Sequence, residues 1–138
     1  MQAIVLSKGG WEGWLQCELW NVLNDGFVVD DYQYEGKSYM REERYLDGTT
    51  FCDLVDDDRN FWIELKAYGI FRDLNDFINK FKDDIQKIGR IYVPAIAVVI
   101  IPKIYEKESM FEDIKPDHVI WHDSFTIFIK KNEILKKI

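Results

Sequence analysis

Apolar residues recur along this chain with two different periods. Between residues 11 and 23, Trp11, Trp14, Leu15, Leu19, Val22 and Leu23 fall three or four apart, which predicts a helix. Glu18 lies on the same stripe, and Glu12 and Gln16 take the other side. An acid on an apolar stripe needs a partner, because burying a lone carboxylate is costly. Glu18 either snorkels at the stripe's edge or points at a polar site. A clearer helix spans residues 74–88, where Leu74, Phe77, Ile78, Phe81, Ile85 and Ile88 form one stripe. Asp73 suits its N-cap and Gly89 its end. Its polar side carries Lys80, Lys82, Gln86 and Lys87.

Elsewhere the pattern is that of strands. Residues 27–34 predict the first strand of a sheet, interrupted by Asp30 and Asp31. Residues 35–47 are polar and read as a connection. Residues 50–55 and 61–68 are two short runs rich in β-branched and aromatic residues, joined by a polar turn at 57–60. Residues 92–101 are almost continuously apolar, as in a strand covered on both faces. This run follows a helix that follows a strand, so a right-handed crossover sets it parallel to the 61–68 strand. Residues 102–116 are charged, with room for a short helix, and 118–121 and 124–129 predict two further strands. The whole, residues 1–138, reads as a single α/β domain with a mixed sheet.

The 50–68 hairpin has an expected register. A tip at Asp58-Arg59 sets Val55 opposite Trp62 and Asp53 opposite Glu64. Directly opposed residues share a face, and Lys66 joins them two residues on. The other face is then Cys52, Leu54, Ile63, Leu65 and Ala67, all apolar. A slip of one residue would separate Asp53 from Glu64, but it would also expose that apolar set.

Composition narrows the class. Apolar residues make up 47% of 138, which excludes a disordered chain. No apolar run is long enough to span a bilayer, and no basic start leads into an apolar signal segment. A cytoplasmic protein without membrane contact is expected. Cys17 and Cys52 each lie in an apolar element, as buried reduced thiols would. The net charge of −7 tells against strong non-specific nucleic-acid binding. It leaves room for a metal-dependent site, where clustered acids are needed, and for an acidic binding protein.

Candidate chemistry centres on the hairpin. Two carboxylates on adjacent strands supply hard oxygen ligands suited to Mg²⁺ or Mn²⁺. A neighbouring ammonium can orient a water or stabilise developing negative charge. A surface salt bridge is the plainer account of such a trio. Acid-x-Lys occurs three times, as Glu35-Gly-Lys37, Glu64-Leu-Lys66 and Asp113-Ile-Lys115. Only the second lies inside an apolar strand with an acid on the strand before it. His118 and His122 have a zinc-like spacing, but no cysteine pair or third ligand lies nearby. Arg44, just before the hairpin, has the guanidinium geometry for a phosphate contact. Lys130, Lys131, Lys136 and Lys137 give the tail a modest basic patch.

Asp53 followed by Glu64-Leu-Lys66 resembles the PD-(D/E)xK nuclease superfamily, over about residues 11–101. Cys52 stands where the family name has proline. The resemblance implies a restriction-endonuclease-like αβββαβ core, three layers α/β/α around a central mixed sheet. It implies a Mg²⁺- or Mn²⁺-dependent nuclease acting on nucleic acid, DNA before RNA. Asp53 and Glu64 would bind metal, with the Leu65 carbonyl as a further ligand. Glu18 on the first helix would add a ligand or orient water, and Lys66 would act on the attacking water or the charged transition state. Lys82 and Gln86 are the helix residues that the resemblance points toward substrate. A chain this small offers little surface for reading sequence, so a homodimer or a protein partner is expected. The alternative is a catalytically silent acidic module of the same fold, such as an immunity protein that blocks a nuclease toxin.

Overall fold

The computed structural model describes residues 10–29, 32–34, 36, 39–44, 51–56, 60–68, 73–105 and 109–138. In chain order these form helix α1 (Gly10–Asp25), β1 (Phe27–Val29), β2 (Tyr32–Tyr34), β3 (Tyr39–Arg44), β4 (Phe51–Asp56) and β5 (Trp62–Ala67). Helix α2 (Leu74–Gly89), β6 (Ala95–Pro102), a 3₁₀ turn (Lys103–Tyr105) and α3 (Ser109–Glu112) follow. The chain ends with β7 (His118–Trp121), β8 (Phe125–Lys131) and α4 (Glu133–Lys136). No described helix is long and apolar enough to cross a membrane.

Six strands form one open mixed sheet in the order β3-β4-β5-β6-β8-β7. All neighbours are antiparallel except β5 and β6, which run parallel. That one parallel pair is the expected crossover through α2, with Glu64 beside Ala97 and Lys66 beside Val99. Asp73 caps α2 as its sequence position suggests, its side chain accepting the Asp76 N–H at 3.0 Å.

Residues 27–34 depart from expectation. They are not a strand of the main sheet but a separate hairpin, with Phe27 opposite Tyr34 and Val29 opposite Tyr32. The sheet's first strand is β3, whose sequence YMREER lies in the stretch that reads as a polar connection. An outermost strand with charged side chains carries no apolar alternation, so its pattern resembles a loop.

Both faces of β4 and β5 are buried, another departure from the single core face expected. One cluster joins Val55 and Trp62 to Phe77, Phe81 and Ile88 of α2 and to Ala97, Val99 and Ile101 of β6. The other joins Leu54, Ile63, Leu65 and Ala67 to Val98 and Ile100, with Leu15, Leu19 and Leu23 of α1 packed on it. Cys52 belongs to the first cluster, not to the Leu54 face. A regular strand would put Cys52 and Leu54 on one face, so β4 twists out of regularity between them.

Candidate functional site

The irregularity in β4 builds the site. The hairpin keeps the expected register at its turn end, with Leu54 opposite Ile63, Val55 opposite Trp62 and the Asp56 N–H bonding the Phe61 carbonyl at 3.1 Å, but the expected pair of Asp53 with Glu64 does not form. The buried Asp56 carboxylate closes the turn end, accepting the N–H groups of Asn60 at 2.6 Å and Phe61 at 3.1 Å. Pairing stops at Leu54. The next rung of the ladder would give the Leu65 N–H to the Cys52 carbonyl. Instead the Asp53 side chain takes it, Oδ2 accepting at 2.7 Å. The Cys52 Sγ lies 3.0 Å from the Leu54 carbonyl and 3.2 Å from that of Ile63.

Asp53 is thereby held in the opening between two strands. Its other oxygen accepts the Gln16 Nε2 amide at 3.2 Å. Gln16 in turn accepts from Arg41 through Oε1, at 3.1 Å from Nε and 2.7 Å from Nη2. A relay therefore runs from β3 through α1 to β4. Gln16 is 5% exposed, so it does not lie on the outer side of α1 as its helical position suggests.

Glu64 and Lys66 project from β5 toward α2. Glu64 is 3% exposed, and its Oε1 lies 3.8 Å from Lys87 Nζ. Lys66 Nζ lies 3.5 Å from Oδ2 of Asp84, whose Oδ1 is 4.0 Å from Lys87 Nζ. Two acids and two lysines thus alternate across the β5–α2 contact. Burial pushes the Asp84 carboxyl up to about 6 against the pull of Lys66 and Lys87, and the Asp53 charge adds a smaller push the same way. Burial outweighs both lysines, which is the expected order when an acid is taken this far from water.

Glu64 and Lys66 are therefore joined through Asp84 and Lys87, whereas the bonds of Asp53 run to the Leu65 N–H and to Gln16 of α1, and Asp53 reaches this group through its charge on Asp84. Leu65 lies between Glu64 and Lys66, its N–H committed to Asp53. Glu18 lies on α1 and Arg44 on β3, but their side chains are outside the described residues. Cys17 is likewise outside them, while Cys52 is a buried thiol. Lys82 and Gln86 are exposed on α2, and the α2 residues that reach the site are Asp84 and Lys87. His118 and His122 are exposed, and His122 accepts the Ser124 N–H on Nδ1 at 3.3 Å.

Among the described residues no three His, Cys, Asp or Glu side chains stand together as a metal cage. Mg²⁺ does not require one. It is commonly held by one or two carboxylates, with waters and substrate phosphate completing its shell. Asp53 and Glu64 fit that donor chemistry, both being hard oxygen ligands.

No protein-family model matches this chain, and no curated protein or solved structure is significantly similar to it.

Proposed function

We propose that this chain is a Mg²⁺- or Mn²⁺-dependent nuclease with a PD-(D/E)xK-like site, set in a three-layer α/β/α core of restriction-endonuclease type. One observation carries the reading. The β4–β5 hairpin opens at Asp53, whose carboxylate bonds the Leu65 N–H between Glu64 and Lys66. A surface ion pair needs no such opening, and Glu64 is buried.

In this reading Asp53 and Glu64 hold the metal, with the Leu65 carbonyl and Glu18 as further ligands. The bound ion would polarise the scissile phosphate and help generate the nucleophile. Lys66 orients the attacking water or neutralises charge developing on the phosphate, a role typically worth about 10²–10³ in rate. Arg44, Lys82 and Gln86 are assigned to the nucleic-acid backbone. DNA is favoured over RNA as substrate, with action in the cytoplasm as a homodimer or with a protein partner.

The net charge of −7 favours a second reading, an acidic module that binds a protein and cuts nothing. One experiment separates the two. Plasmid DNA, single-stranded DNA and RNA are incubated with the protein in Mg²⁺, Mn²⁺ or EDTA, wild type beside Glu64→Ala. Cutting that needs the metal and disappears in the variant supports the nuclease. Undiminished cutting by folded Glu64→Ala sinks the site assignment, and no cutting by folded wild type moves the weight to the binding module.

A further inference from the structure

We propose that Asp84 of helix α2 is a positioning residue for the Lys66 ammonium, so that α2 forms a working wall of the site and not merely a support. The catalytic consequence rests on the nuclease reading; the tether itself rests on geometry.

Asp84 is out of place on any account based on packing alone. It follows Phe81 by three residues and precedes Ile88 by four, on the stripe that α2 buries against the sheet. Phe77, Phe81 and Ile88 are all but fully buried, and Asp84 is 4% exposed among them. A leucine there would extend the core without any desolvation cost. Moreover, Asp84 Oδ2 is a buried oxygen that makes no hydrogen bond, and Lys66 Nζ stands 3.5 Å from it. A buried acceptor left in that state calls for an explanation.

The explanation lies in what a lysine needs. Its ammonium is a point charge on a flexible four-carbon stem. A catalytic group must be held within about half an ångström of its working position, by neighbours that are themselves locked in place. Asp84 meets that condition because its helix is clamped by Phe77, Phe81 and Ile88. Lys87 completes the arrangement, reaching both Asp84 Oδ1 and Glu64 Oε1. Lys66 and Lys87 therefore share the Asp84 carboxylate, one on each oxygen.

The test measures the tether and the catalysis separately. Full-length wild type and Asp84→Asn are reductively methylated at low reagent, and the peptides carrying Lys66, Lys87 and the exposed Lys80 are compared by mass spectrometry. Methylation of Lys66 relative to Lys80 should rise severalfold in the variant, because the ammonium is released from its carboxylate tether. Unchanged Lys66 reactivity would overturn the proposal. Where the wild type cuts DNA, Asp84→Asn should lower kcat by about 10- to 100-fold and leave KM within about twofold. The same substitution in a Lys66→Gln background should add less than about a twofold further loss, because its effect acts through Lys66. Full additivity would also overturn the proposal. Raised Lys66 reactivity in a protein that cuts nothing would keep the tether and reject the nuclease reading alone. If Asp84→Asn does not fold, Lys66→Met replaces it. Lys87 methylation should then fall severalfold as Asp84 turns to Lys87 alone, and no change overturns the proposal.

Discussion

The Asp53 carboxylate bonds the Leu65 main-chain N–H at 2.7 Å, so a side chain stands where a strand's carbonyl would otherwise be. Its second oxygen is held by Gln16 at 3.2 Å. Asp53→Ala strands both donors and should lower unfolding free energy by about 1–3 kcal/mol in urea titrations. Asp53→Asn keeps an acceptor oxygen and should cost less stability, and under the proposed nuclease reading it should remove metal-dependent cutting as fully as alanine does. Equal stability of the two variants would show that the Leu65 bond contributes little.

Gln16 joins three elements through Asp53 and Arg41. Gln16→Leu fills the space but leaves Asp53 without its amide donor. A loss of about 1–2 kcal/mol is expected in chemical denaturation, and under the proposed nuclease reading cutting should fall as well because Asp53 is no longer oriented. A variant as active as wild type would detach Gln16 from the site.

Asp84 makes stability depend on pH in a stated direction. Its folded pKa, about 6, lies above the ordinary 3.8, so the folded state binds its proton more tightly than the unfolded chain. The resulting stabilisation is complete below the unfolded value and is lost as pH rises through about 6. Between pH 4 and pH 7 the wild type should lose up to about 3 kcal/mol relative to Asp84→Asn, which cannot titrate. Urea unfolding of both proteins across that range measures the slope. Parallel curves would mean an ordinary carboxyl.

Asn132 fixes the end of β8 to the central strand. Its Oδ1 accepts from Ala95 N at 3.2 Å and Leu135 N at 3.0 Å, and its Nδ2 donates to the carbonyls of Ile88 at 3.0 Å and Val93 at 2.8 Å. Asn132→Ala leaves these groups without that partner, several of them buried, and should cost about 2–4 kcal/mol by chemical denaturation with no direct effect on the site. A loss below about 0.5 kcal/mol would show water replacing the amide.

How far the fold could be read from residues depended on where each residue's partners lie. The hairpin register was legible, because Leu54, Ile63, Leu65 and Ala67 alternate with polar positions. The parallel β5–β6 pair followed from a helix between two apolar strands. By contrast, β3 was illegible, because charge replaces alternation in YMREER. Gln16 looked solvent-facing because its partners lie 25 and 37 residues away, beyond any helical period. Asp84 did leave a signal, an acid between Phe81 and Ile88 on an apolar stripe. The same rule picks out Glu18, and it applies to Asp84 with equal force.

The outermost strands of the described sheet differ in one further respect. Tyr39–Arg44 carries four charged residues, whereas His118–Trp121 carries no acid, lysine or arginine and leaves Trp121 68% exposed. A strand rich in charged residues disfavours an added strand, and an uncharged apolar border accepts one. Growth by strand addition needs two receptive borders, one to join and one to pass on. A sheet with a single receptive border closes after one addition, so association of this kind gives pairs and not fibrils.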